Sequence, residues 1–244
     1  MLQTITIYDQ DGAEEGAAAL HRITDIKEAV RSQNRVNIFV DQKFFCSLDI
    51  SQVVGLSIKV GRQLDDTELS ELKKASDFGK LYGRALEYVF SRPHSTKEIR
   101  DYLKRKTYSR KIRVKNRQTG EYQTKTKEGF DPSLVPLVLA RLEQHGYLDD
   151  QKFANFWLEN HHARKGSSLK KLRQELQQKG LSSDVIEQAF ADSSRDELIE
   201  LRKIIAKKAH RYSDQQKFIQ YLLRQGFNYS DVMDELSSSS STDE

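Results

Sequence analysis

SLKKLRQELQQKGL, residues 168–181, is the stretch from which the architecture follows. Its polar start leads to Leu172 and, four positions on, Leu176, so both leucines share one face of a helix. Gly180-Leu181 then supplies the residue that tolerates positive φ and the apolar contact that together end such a helix. The arrangement recurs at residues 95–108, STKEIRDYLKRKTY, with Ile99 and Leu103, and at 214–227, DQQKFIQYLLRQGF, with Phe218 and Leu222. Each copy goes on with Arg or Gln followed by Lys or Gln: Arg105-Lys106, Gln178-Lys179 and Arg224-Gln225. The third copy also ends in glycine plus an apolar residue, Gly226-Phe227.

A helical pattern precedes each copy and a shorter one follows it. FGKLYGRALEYVFSR carries Leu81, Ala85, Leu86 and Val89 at helical spacing and is stopped by Pro93. Ser95 then caps the first copy, with Glu98 at the third helical position as in a capping box. PSLVPLVLARLEQHG follows, with its stripe among Leu134, Leu137, Val138 and Leu142, Pro136 tolerated in the first turn, and Gly146 closing it. DDQKFANFWLENHHARKG opens the next group, with Asp149 or Asp150 as its cap. One helix cannot bury its stripe alone, but three can. The expected fold is therefore mainly α, with tandem three-helix modules at 76–147, 148–191 and 192–236 stacked into an elongated curved array.

Two segments depart from this pattern. Within the first module, residues 108–129 contain two alternating runs, KIRVKN and EYQTKTK, around RQTG. They are expected to form an inserted β-hairpin with Gly120 at the turn position that needs positive φ. Lys111, Arg113, Lys115 and Arg117 fall on one face of its first strand, Ile112 and Val114 on the other. Such an arm fits a groove or a phosphate backbone, and fits equally a soluble flap. Ahead of the modules, residues 22–75 form a small β-rich α+β unit. RITDIKEAV contributes Ile23, Ile26 and Val30; RVNIFVD alternates Val36, Ile38 and Val40; a tight Asp41-Gln42 turn leads into QKFFCSLD. Asp49 or Ser51 caps a short helix, LSIKVGRQL is extended around Gly61, and ELSELKKASDFG is helical. Residues 1–21 are a flexible acidic segment and 237–244 a disordered serine-rich tail.

Composition narrows the function. The 244 residues carry a net charge of only +4, but 13 of the 40 Lys+Arg and 4 of the 36 Asp+Glu lie between Ser91 and Phe130. A local excess of that size attracts phosphate or an acidic protein face. The single cysteine, Cys46, excludes an intramolecular disulfide and a thiolate cluster, and its apolar setting suits a buried small residue. His161 and His162 are adjacent and point apart on a helix, with no acid or cysteine at ligand spacing. Asp149-Asp150 sits between helices, where an acid caps, and Tyr147-Leu148 suits the joint between modules. Phe153 and Trp157, four apart, suit the core. No catalytic residues, metal or cofactor are expected. No apolar run approaches the roughly 20 residues that span a bilayer. The first twenty residues hold Asp9, Asp11, Glu14 and Glu15 with no basic residue, the wrong charge for a secretory leader. The expected location is the cytoplasm, and without a long heptad run the expected state is a monomer.

The candidate nucleic-acid or filament-binding residues are Lys104, Arg105, Lys106, Arg110, Lys111, Arg113, Lys115 and Arg117 in the first module. In the second they are Arg164, Lys165, Lys170, Lys171 and Arg173, and in the third Lys207, Lys208, Arg211 and Arg224.

The pieces ALEYVFSRPHSTKEIRDYLKRK, VLARLEQHGYLDDQKFANFWLENHHARKG, SSLKKLRQELQQKG and IEQAF, in that order, resemble the RecX family of recombination regulators. GYLDD with Phe153 and Ala154 is the most specific of them, and RVNIFVDQKF and KVGRQLDDTELSEL resemble the N-terminal extension of some members. The resemblance covers residues 22–236. It implies a non-enzymatic protein of DNA repair, recombination and the SOS response. Such a protein binds the RecA filament on single-stranded DNA, meeting the DNA directly or through the filament. It modulates, in most members inhibits, ATPase activity and strand exchange. The 108–129 hairpin departs from the common pattern. The alternative is a DNA-binding module that acts without RecA.

Overall fold

The computed structural model describes residues 20–29, 32–116, 118–161 and 166–240. The expectations for residues 1–19, Val30, Arg117, His162, Arg164, Lys165 and 241–244 lie outside them. The chain divides into two compact units, residues 1–80 and 81–244.

The first unit is built on β1 (His21–Ala29), β2 (Ser32–Val40), β3 (Lys43–Asp49) and the two-residue β4 (Gln63–Leu64). They form an antiparallel sheet in the order β3-β2-β1-β4. Asp41 and Gln42 both take positive φ, 48° and 66°, which lets two residues join β2 to β3 with the twist a hairpin requires. Alternation sets the inner face: Val36 opposes Leu48 and Ile38 opposes Cys46. Ile23, Ile38, Cys46, Leu48, Leu64 and Leu72 close the core. Cys46 is buried, and burial pushes its thiol up. The extended piece expected around Gly61 shrinks to β4, because 59–62 turn, with the Arg62 N–H bonding back to the Lys59 carbonyl. After α1 (Ile50–Gly55), α2 (Asp66–Ser91) is one unbroken helix of 26 residues, running straight through the change of texture at residue 76. Gly79 lies on it because a Cβ there would come within 2.7 Å of the Gln52 side chain.

The second unit contains the end of α2, α3 (Thr96–Thr107), the hairpin strands β5 (Arg110–Lys115) and β6 (Tyr122–Lys127), and α4 (Leu134–Gln144). It continues with α5 (Asp150–Asn160), α6 (Leu169–Gln178), α7 (Ser183–Ala191), α8 (Glu197–Lys208), α9 (Gln215–Arg224) and α10 (Tyr229–Ser240). The repeat pairs are all buried: Ile99 and Leu103, Leu172 and Leu176, Phe218 and Leu222. Helices α5–α7 enclose one core around Phe153, Leu158, Leu172, Leu176 and Ile186; α8–α10 enclose another around Leu201, Ile204, Phe218, Leu222 and Val232. Three details differ from the sequence reading. In α4 the buried set is Leu134, Val135, Val138 and Leu142, while Leu137 is exposed, since it sits off the i, i+4 stripe. Helix α5 stops at Asn160, and His161 is already extended. Helix α10 runs to Ser240, into the segment expected as a tail, with the Ser237 and Ser238 hydroxyls bonding back to preceding carbonyls.

Two joints inside this unit repeat one design. At the first, the N-cap Ser95 hydroxyl donates to the Lys179 carbonyl at the end of α6 (2.8 Å), and the Thr96 N–H donates to Asp150 at the start of α5 (2.7 Å). At the second, Ser168 donates to the Gln225 carbonyl at the end of α9 (2.5 Å), and the Leu169 N–H donates to Glu197 at the start of α8 (2.9 Å). Each cap serine also accepts from its own helix, from the N–H of Glu98 or Lys171. The positive end of one helix thus meets the negative end of the next, and a neighbouring acid completes the contact. Glycine is required at the receiving end: a Cβ on Gly180 would lie 2.8 Å from Lys97 Cβ, and one on Gly226 2.7 Å from Ser168 Oγ. Gly226 also holds φ +95°. Gly226→Ala is therefore expected to lower stability by about 1–2 kcal/mol from backbone strain alone. Chemical denaturation beside wild type checks this, and an unchanged midpoint would contradict the joint as described.

Candidate functional site

The hairpin carries the densest charge. Its turn is set by Gly120, at φ +74°, whose N–H donates to the Asn116 carbonyl. The register pairs Arg110 with Lys127, Ile112 with Lys125, Arg113 with Thr124 and Lys115 with Tyr122. Directly paired residues share a face, so Lys111, Arg113 and Lys115 stand with Tyr122, Thr124 and Thr126. Ile112 and Val114 stand not on an apolar face but with Arg110, Lys125 and Lys127. Lys125 and Lys127, absent from the sequence-derived candidates, were legible in the alternation of YQTKTK and make both faces cationic. The Arg113 guanidinium lies over Tyr122, 5.0 Å from the ring centroid, and Tyr122 is itself 60% exposed. At the base, the Phe130 N–H donates to the Lys106 carbonyl (3.0 Å), and Gly129 lies where a Cβ would collide with the Thr107 carbonyl. Both legs are thus fixed to the end of α3.

The remaining candidates separate by what they touch. Lys104 and Arg105 are exposed on the last turn of α3, and Lys106 is half-buried with its ammonium 4.5 Å from the Tyr102 ring centroid. Lys170 is exposed near the second joint. Lys171 is committed there, donating to the Gln225 side chain at 2.7 Å. Arg173 is committed to Glu187, with bonds of 2.9 and 3.2 Å, and to the Phe190 ring. Lys207 and Arg211 are exposed at the end of α8 and the 3₁₀ turn after it, Lys208 is half-buried, and exposed Arg224 bonds back to the Gln220 carbonyl. Lys171 and Arg173 therefore serve packing first.

The motif residues find structural places. Asp149 caps α5 by accepting from the Lys152 N–H, whereas Asp150 reaches across the first joint to Thr96. Glu98 does not complete a capping box. Its carboxylate meets Lys179 (2.7 Å), His94 (3.1 Å) and Arg92 (3.2 Å). Tyr147 packs edge-on against Phe90, and Trp157 lies beside the second core with His161 stacked on it at 3.8 Å. His161 pairs with Glu175. Among the described residues there is no group of three side chains able to hold a metal ion, and no helix long and apolar enough to cross a membrane.

Comparison with known proteins fits both units. The model of the regulatory protein RecX N-terminal domain matches residues 21–65, and that of the RecX second three-helix domain matches 149–189. Regulatory protein RecX of Bacillus subtilis is 29% identical over 214 residues, covering 85% of this chain and 73% of that protein. The Bacillus licheniformis protein is 28% identical with the same coverage, and that of Clostridium perfringens 26% identical over 85% of this chain and 91% of its own. A crystal structure of regulatory protein RecX shares the fold, with a TM-score of 0.65 and 21% identity over 88% of this chain and 99% of that one. With both domain models in their order along the chain and relatives aligned across both units, this chain belongs to the RecX family of regulatory proteins.

Proposed function

We propose that the chain binds the RecA recombinase filament on single-stranded DNA and inhibits its ATPase and strand exchange, with the hairpin arm as the side that meets the nucleic acid. The reading starts from family membership and is carried by one observation: the exposed cations concentrate on the end of α3 and on both faces of the inserted hairpin. The three modules, taken as 76–147, 148–191 and 192–236, act in a monomer in the cytoplasm, and the cations of the later modules extend the contact. No step of this function calls for a catalytic group.

The test is direct. Added to RecA filaments, the full chain is expected to co-sediment with them and to lower single-strand-dependent ATP hydrolysis and strand exchange. If it does neither, the reading falls. Replacing residues 110–128 by a short linker removes the six cations of β5 and β6. If each meets a phosphate, the salt dependence of binding to filament or strand weakens by a slope of up to about 4. The exposed Tyr122 among cations favours a second reading, direct DNA binding without RecA. Under that reading bare DNA is bound at low salt while RecA activity is untouched, and Arg113→Glu with Lys115→Glu weakens the binding.

A further inference from the structure

Five cations converge where the hairpin joins the helices. Arg110 and Lys127 are the pair nearest the base of the β5–β6 ladder. Lys106, on the last turn of α3, is tied to the returning leg by the Phe130 N–H on its carbonyl. Arg84 of α2 lies over the Phe130 ring, 5.0 Å from its centroid, and Arg105 adjoins Lys106 on α3. The group thus draws on α2, α3, β5 and β6. Burial, and then Arg84, Arg110, Arg105 and Lys127 in that order, push the Lys106 ammonium below the ordinary lysine value.

Six arginines elsewhere in the protein, Arg35, Arg62, Arg92, Arg173, Arg195 and Arg202, each meet a carboxylate. Among the described residues, none of these five cations forms an ion pair. Holding like charges together raises the free energy of the empty protein, and an anion placed among them recovers it. Three of the five are guanidinium groups, whose planar forks match the oxygens of a phosphate. The cationic row does not end at the base. Cations continue outward on both faces of the hairpin, Lys125 on the face of Arg110 and Lys127, and Lys111, Arg113 and Lys115 on the other face, which carries Tyr122, whose exposed ring suits an unpaired base more than a stacked duplex. A linear polyanion with accessible bases uses both features; a lone phosphate uses only the first.

We propose that Arg84, Arg105, Lys106, Arg110 and Lys127 form a binding site for a backbone phosphate of single-stranded nucleic acid, anchoring a strand that runs out along the hairpin. This deepens the proposed function and rests on its assignment of the hairpin arm to the nucleic-acid side.

The experiment measures binding of a labelled oligothymidylate to the full chain, without recombinase, over a series of salt concentrations. Lys106→Met and the pair Arg84→Gln with Lys127→Gln are each expected to weaken binding about tenfold. Each should also flatten the salt dependence by about 0.7 for every phosphate that is no longer neutralised. Lys106→Arg keeps the charge and is expected to retain most of the affinity. Circular dichroism of each variant separates loss of binding from loss of fold. Unchanged affinity and slope in both folded cluster variants would overturn the site. Equal affinity for a duplex of the same length would overturn the single-strand assignment. Inorganic phosphate that saturates the cluster and displaces the oligonucleotide at micromolar concentration would show a free-phosphate site and overturn the polymer assignment. The two readings fail separately. Cluster-dependent oligonucleotide binding without any effect on filament ATPase sinks the filament reading and leaves this site standing. Filament inhibition that survives in the cluster variants, with oligonucleotide affinity unchanged, does the reverse.

Discussion

Replacing Glu200 with alanine is expected to destabilise the second unit by about 3–5 kcal/mol, the range for removing one member of a buried charged pair. Glu200 is 1% exposed and lies on α8 against the segment leading into α6. Its carboxylate accepts from the Ser167 N–H (3.0 Å), Lys203 (2.8 Å) and Arg195 (3.4 Å), and the Arg195 side chain is only 9% exposed. Arg195 in turn donates to the His161 carbonyl at 2.6 Å. Gly166, at φ +77°, passes so close that a Cβ would lie 2.5 Å from the Glu200 carbonyl. One side chain thus ties the end of the α5 segment, the start of α6 and helix α8. Alanine leaves a buried guanidinium and a buried N–H without their acceptor. Glu200→Leu with Arg195→Met removes both charges and is expected to recover most of the loss, because a whole buried pair exchanges for apolar groups at little cost. Urea unfolding of wild type and the two variants decides the matter. A double variant no better than Glu200→Ala would show that the charges themselves are not what the site needs.

What could be read beforehand follows from range. The pairs Ile99/Leu103, Leu172/Leu176 and Phe218/Leu222 are buried as the 3.6-residue period requires, since that period is written within a few positions. A cap at Asp149 or Asp150 and a turn at Asp41-Gln42 were legible for the same reason, but not which of the two acids caps. The joints were not. Thr96 and Asp150 are 54 residues apart, and Ser95 and Lys179 84, and neither residue looks unusual in its own segment. Only the overlay of the copies makes them visible, with Ser95, Ser168 and Asp214 in one place and Asp150 and Glu197 in another. Asp214 caps its own helix through Gln216 and Lys217, but as a carboxylate it has no hydrogen to donate to a further carbonyl. The third copy therefore lacks the hydroxyl donor that Ser95 and Ser168 bring to their joints. Charge was legible as an amount, not as an arrangement. Counting finds the excess between Ser91 and Phe130, but packing diverts Lys171 and Arg173 into structural contacts and brings Arg84 to the hairpin base.

The first joint is also expected to loosen in acid, in two steps of the same sign. Glu98 is held by opposing influences: burial pulls its carboxyl up, while bonds from Lys179, His94 and Arg92 outweigh this and bring it to about 2, from 4.5. A carboxyl depressed on folding adds stability that is complete above 4.5 and is lost as pH falls toward 2. The shift corresponds to about 3 kcal/mol at most, and partial solvent screening brings the expected value nearer 2. His94 adds an earlier step. Burial lowers its imidazole below 6.5 against the pull of Glu98, and the ring is stacked on Tyr88 at 3.7 Å. The unfolded chain takes up that proton first, so stability begins to fall below pH 6.5. Trp157 reports the event. It is the one tryptophan, and the Lys179 ammonium that grips Glu98 lies 4.9 Å from its ring centroid. Unfolding followed by Trp157 emission across pH should show Glu98→Gln less stable than wild type by about 2 kcal/mol at pH 7, with the two curves converging as pH approaches 2. Other carboxylates titrate in both proteins and cancel in the difference. A gap between the curves that stayed constant from pH 5 to pH 2 would mean that the Glu98 charge does not hold the joint.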